Sequence, residues 1–218
     1  MVNKSRSPAS SQISSLWVRG LLVALVAGLS ACINTPLPDY YVLTAEPGTL
    51  SATQFDGNDK ILNLAIGVGP ITIPETVNRQ NIVTPKNTNQ LEVAEFHRWS
   101  EPLRENISRV VITNLAARMG VSKLYAFPWL RTEIDHIARI DILQMTGRLQ
   151  EEVYLQVRWQ ILTGEKPLQL LETRISEYRK PVEGVGYSAL VAAYSEAYAS
   201  LSDDIARAIV ELNDVGSS

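Results

Sequence analysis

Few side chains in this 218-residue chain are of a type and spacing that does chemistry. His97 and His136 are its only histidines, and neither has a His, Cys or carboxylate at the spacing of a zinc or iron site. Each therefore reads as a surface or locally hydrogen-bonded histidine. Gly186-Tyr187-Ser188 lacks the last glycine of a nucleophile elbow, so Ser188 is better read as a helix N-cap. Gly67-Val68-Gly69 lacks the third glycine of a dinucleotide loop, and Pro70 removes an amide that would cradle phosphate. Asp203-Asp204 falls between the apolar positions Leu201 and Ile205, where a solvated helix face is the ordinary explanation. No catalytic residue, cofactor or metal is expected. There remains Cys32, the sole cysteine, which can form no internal disulfide and which follows Leu29, Ser30 and Ala31.

What precedes Cys32 gives it a meaning. A polar stretch carrying Lys4, Arg6 and Arg19 and no acid leads into the apolar run Gly20–Leu29 and then small residues, the three-part layout of a secretory signal peptide. Ten apolar residues span only about 15 Å of helix, half of a hydrocarbon core of about 30 Å, so a permanent membrane span is disfavoured. The tetrad Leu29-Ser30-Ala31-Cys32 resembles the bacterial lipobox, in which a signal peptidase recognises the small residues and the cysteine sulfur receives diacylglycerol. That resemblance implies a signal peptide over residues 1–31, a lipidated N-terminus and tether over 32–39, and three acyl chains on mature Cys32. Each buried acyl CH₂ contributes roughly 0.8 kcal/mol, and more than one chain makes a stable anchor. Ile33 follows the cysteine where an inner-membrane lipoprotein would carry Asp, which implies the periplasmic face of the outer membrane.

Losing the leader removes three positive charges, so the formal net charge moves from −3 to −6. With no basic run, a nucleic-acid partner is excluded from the reading, and anionic headgroups would not attract the body. A 45% hydrophobic and 20% charged composition suits one packed domain plus an export segment.

The elements that must position any site follow from period and punctuation. Pro36 and Pro38 keep the tether extended, and Tyr40–Leu43 reads as a first strand. Residues 46–60 are rich in turn formers. Leu62, Leu64, Ile66 and Val68 alternate with polar or small residues up to Gly69-Pro70, which closes that strand. Strands at 82–84 and 91–96 flank the polar turn 86–89 as a hairpin. Ser100 is a candidate N-cap for a helix carrying Leu103, Ile107, Val110, Val111 and Leu115, stopped by Gly120. Residues 140–149, 153–161 and 168–176 form an antiparallel meander, with a slip of pattern at Ile142-Leu143 that predicts a bulge. From Ser188, the stripe Leu190, Tyr194, Tyr198, Leu201, Ile205, Ile209 and Leu212 marks a long helix, and residues 213–218 should fray. The expectation is a single α+β domain over residues 40–213, a largely antiparallel sheet with two main helices packed on it, and a frayed tail over 214–218.

Phe96 and Trp99 flank His97-Arg98 at the strand-to-helix junction, and Trp129 follows Pro128. Core packing is the first expectation for these rings, and a partner surface is the second. The lipobox, Tyr40-Tyr41-Val42-Leu43, Ile66-Gly67-Val68-Gly69-Pro70 with Ile73-Pro74, Ala94-Glu95-Phe96-His97-Arg98-Trp99 with Glu101-Pro102-Leu103, and Tyr125 with Pro128-Trp129 together resemble the PqiC family, over nearly the whole mature chain. The resemblance implies a non-enzymatic lipoprotein, the auxiliary subunit of an MCE-type transport system. It would dock a periplasm-spanning, PqiB-like MCE-domain protein so that lipid can move between membranes, with a homo-oligomeric ring as one arrangement. Cys32 is the one functional residue that the resemblance carries over. An alternative of a different class is a periplasmic lipid-binding shuttle, with an apolar groove between sheet and helix. A hydrolase of periplasmic lipids would need a nucleophile and base that the sequence does not place.

Overall fold

Alternation of apolar and polar side chains builds the longest strands. In β7 (Glu152–Thr163), Val153, Leu155, Val157, Trp159 and Ile161 are fully buried while the residues between them face the other way. The computed structural model describes residues 36–46, 59–129 and 133–215. Before β7 come β1 (Asp39–Tyr41), α1 (Asp59–Leu62), β2 (Ala65–Thr72), β3 (Asn81–Asn87), β4 (Gln90–Trp99), α2 (Leu103–Met119), β5 (Lys123–Ala126) and β6 (His136–Gly147). After it come β8 (Leu170–Pro181) and α3 (Gly186–Val215).

The strands form two sheets, ordered β1-β4-β3 and β5-β2-β6-β7-β8. The meander β6-β7-β8 is antiparallel, as is the hairpin β3-β4, whereas β2 lies parallel to both β5 and β6 and β1 lies parallel to β4. The result is a single α+β domain with mixed sheets of three and five strands. The bulge expected near Ile142-Leu143 is present as a register shift between Ile142 and Gln144.

Four local expectations are corrected. β2 begins at Ala65, continues through Gly69-Pro70 to Thr72, and is buried on both faces. The reason is its central position: Ile66 and Val68 enter the main core, while Gly67 stands on the opposite face beneath the Trp129 ring. Ser100 caps no helix. α2 opens after Pro102 without a side-chain cap, and the Ser100 amide donates to the Tyr41 carbonyl, extending the parallel β1-β4 ladder. Ser188 lies inside the first turn of α3 instead of ahead of it. The last strand of the meander runs to Pro181, beyond the expected end at 176. Gly120 does end α2 in the left-handed conformation, φ 71°, with its amide donating to Ala116.

One continuous core joins both sheets to α2 and α3, with Trp159, Leu155, Ile140, Ile107, Leu115 and Tyr198 among its fully buried members. A smaller cluster of Ile134, Ile137 and Leu162, covered by Tyr125 and Trp129, packs separately. Among the described residues no helix is long and apolar enough to cross a membrane.

Candidate interaction surface

The residues at which the chain would be cut and lipidated, Leu29, Ser30, Ala31 and Cys32, lie outside the described residues, as do 216–218 of the tail. Beyond β1, the chain is held at residues 43–46 by side chains of both long helices. Asn106 on α2 accepts from the Leu43 amide at 2.7 Å and donates to its carbonyl at 3.2 Å, acting as a strand partner would. Ser195 on α3 accepts from the Thr44 amide at 3.1 Å, and Asn114 on α2 accepts from the Glu46 amide at 3.1 Å. Arg118 donates to the carbonyls of Asn114 and Ala199, both at 3.1 Å, and pairs with Asp203.

This arrangement overturns the solvated reading of the acidic pair. Asp203 is 5% exposed and neutralises the buried guanidinium of Arg118, while Asp204 accepts from the Tyr178 hydroxyl at 2.7 Å. Burial pushes the Tyr178 phenol well above its ordinary value, so it stays protonated as that donor. Sequence reasoning missed the polar residues of α2. The available signal was their placement: Asn106, Asn114 and Arg118 recur at multiples of four and so share one stripe of an otherwise apolar face.

The two histidines are engaged locally and apart. His97 lies 2.8 Å from the Tyr41 hydroxyl and stacks on Tyr187 with centroids 4.0 Å apart, which fastens β1 to β4 and to the start of α3. His136 lies 3.0 Å from the Asn213 amide near the end of α3. Among the described residues no group of three His, Cys, Asp or Glu side chains is placed to hold a metal ion.

The three aromatics have separate surroundings. Trp99 is 3% exposed and belongs to the main core, so packing accounts for its whole ring. Phe96 is half-buried on β4. Trp129 is half-buried over Gly67, and the Phe127 ring meets it edge-on at 5.4 Å. Phe127 itself is 54% exposed. It borders a groove of about 370 Å³ whose apolar wall is Val68, Pro70, Ile71, Ile112 and Ala126, with Arg104, Glu105, Ser108 and Arg109 along the side formed by α2. The groove lies where β5 stops at Ala126, the partner of Val68, so that beyond this point β2 is paired on its β6 side alone. Arg109 is held by Glu101, and hydrogen bonding from Arg109 keeps the Glu101 carboxyl below its usual range. An exposed ring beside a mostly apolar groove is the chemistry of recognition by burial.

A family model described as an ABC-type transport auxiliary lipoprotein component matches residues 41–206. The fold is similar to that of a crystal structure of an uncharacterized protein, at 18% identity and a TM-score of 0.61, covering 80% of this chain and 99% of that one. It is equally similar to a Xanthomonas campestris protein of the DUF330 family, at 12% identity and a TM-score of 0.61, covering 82% of this chain and 99% of that one. No curated relative matches the sequence.

Proposed function

Because this chain belongs to the family of ABC-type transport auxiliary lipoproteins, we propose that it is the outer-membrane, PqiC-like subunit of an MCE-type transport system. In this reading acyl chains on Cys32 hold it at the periplasmic face of the outer membrane. The body docks a periplasm-spanning MCE-domain protein so that lipid passes between membranes, and copies assemble into a ring where the partner's symmetry requires one. It performs no catalysis of its own. The observation that carries the proposal is the extent of the family match, which begins at Tyr41, immediately after the tether, and runs through most of α3. The fastening of residues 43–46 between the helices supports it, because a short leash joined to a fixed point limits how the body can turn.

Crosslinking in intact cells followed by purification of the full lipoprotein should recover an MCE-domain protein. Recovery of none, with transport by that protein unaffected when this chain is deleted, sinks the proposal. Cys32→Ser should move the protein from the envelope to the soluble periplasmic fraction; continued sedimentation with membranes refutes the anchor independently of the partner.

A second reading, a lipid-carrying shuttle, has the groove of about 370 Å³ in its favour. Its mark is stoichiometric lipid in native mass spectra, lost when Ile112 is changed to Asp.

A further inference from the structure

Arg139 stands near the start of β6, on the sheet face opposite the one that Ala138 and Ile140 bury in the core. Its Nε is sealed from solvent and has no hydrogen-bond partner. Among the described residues, its guanidinium forms no ion pair. Directly across the β6-β7 ladder is Gln160, whose side-chain amide also finds no partner among the described residues. A buried donor left as Arg139 Nε is left is uncommon and calls for a physical reason.

The opposite side of Arg139 is where the sheet opens. Val68 pairs with Ala138 and Ile71 with Ile140, so Gly69 and Pro70 together stand against Arg139. Gly69 has φ 121°, a conformation suited to glycine, and Pro70 has no amide hydrogen with which to close the ladder. The break forms part of a recess of about 270 Å³ lined by Pro70, Thr72, Arg139, Asp141, Arg158 and Gln160. Asp141 is already satisfied: it accepts from Thr72 and pairs with Arg158 at 3.3 Å. The positive charge of Arg139 is the surplus. A partly desolvated guanidinium without a counter-ion is unfavourable, and its planar fork of donors matches an oxyanion.

We infer that this recess binds a phosphate group, with Arg139 as the principal contact and Gln160 and Arg158 beside it. Phosphate presents oxygens in several directions, which suits donors arriving from two strands at once. The phosphate of a lipid headgroup and a free phosphate ester share this chemistry. The inference is independent of the MCE partner, since it rests on the unpartnered donors and the broken ladder alone.

The test uses the full lipidated chain in an uncharged detergent at constant ionic strength. Inorganic phosphate and dihexanoyl phosphatidylglycerol are titrated separately by isothermal calorimetry. Saturable, one-to-one binding is expected for at least one of them. Arg139→Gln should weaken it at least tenfold and Gln160→Ala a few-fold, whereas Arg148→Gln should leave it unchanged. Binding of both ligands supports a general phosphate site, and binding of the lipid alone supports a headgroup site. An unchanged circular dichroism spectrum in Arg139→Gln separates lost binding from lost folding, and Gln160→Ala serves if that variant does not fold. Absence of saturable binding by either ligand, or equal affinity in the parent protein and both variants, overturns the inference.

Discussion

Arg118 and Asp203 meet between α2 and α3, 1% and 5% exposed, where neither charge has access to bulk water. Removing one partner leaves the other charge buried and unmatched, a loss of about 3–5 kcal/mol, while replacing both with apolar residues of similar volume is often neutral. Arg118→Met should therefore lower the urea midpoint sharply, and Arg118→Met with Asp203→Leu should recover most of the loss. A double variant as unstable as the single one argues that the carbonyls of Asn114 and Ala199 need the guanidinium more than Asp203 does. His136 supplies a pH dependence. Burial lowers its pKa below the ordinary value, outweighing the opposing effects of Asn213 and Asp135. Above about 6.5 the ring is neutral in both states and contributes no pH dependence. As pH falls below that value the unfolded chain takes up a proton that the folded chain resists. Stability is then lost by up to about 1.4 kcal/mol per pH unit until the folded pKa is reached. Urea unfolding at pH 7.5, 6.5 and 5.5 should show a shallower decline for His136→Gln than for the parent chain. Hydrogen bonding of both histidines accords with their reading as ordinary side chains, but their partners, Tyr41 and Asn213, lie 56 and 77 residues away and were not legible. Nor was burial of Asp203, because its counter-charge lies 85 residues away and nothing between them signals the meeting.

At the scale of elements, α2 does two tasks on adjacent stripes. Leu103, Ile107, Val111 and Leu115 enter the core, while Asn106, Asn114 and Arg118 receive the chain that leaves β1. Asn106→Ala improves helix propensity yet strips both the amide and the carbonyl of Leu43 of their partner. A net loss of about 1–3 kcal/mol is expected. Urea unfolding checks the magnitude, and faster hydrogen exchange at the Leu43 amide checks the cause. The apolar stripes of α2 and α3 and the alternation in β7 were readable because their periods persist over many residues. β5 was not: four residues between Gly120 and Pro128 are too few to show a period. The start of α2 was misplaced for a related reason, since Ser100 satisfies the sequence rule for a cap but its amide joins the ladder of β1 and β4.

At the scale of the whole molecule, the α+β class and the antiparallel meander followed from the grouping of strands before and between two helices. The division into two sheets did not. Parallel neighbours such as β2 and β5 are joined by the intervening hairpin β3-β4 and α2, so their adjacency is a tertiary outcome that local pattern does not encode. The aromatic site residues divide in the same way: residue type forecast the core role of Trp99, but the exposure of Phe127 beside the groove depended on where β5 happens to end. The grip on residues 43–46 also has a mechanical side. Under the proposed anchoring through Cys32, a membrane moving against a docked partner would tug on this molecule through its N-terminal segment, and the force would enter at β1. When that tug runs along the strand, the bonds to β4 and those farther along to both long helices are sheared together instead of being unzipped in turn. The resistance of the body to being torn open then draws on many bonds simultaneously, so a pull on its leading end is borne without unravelling it from there.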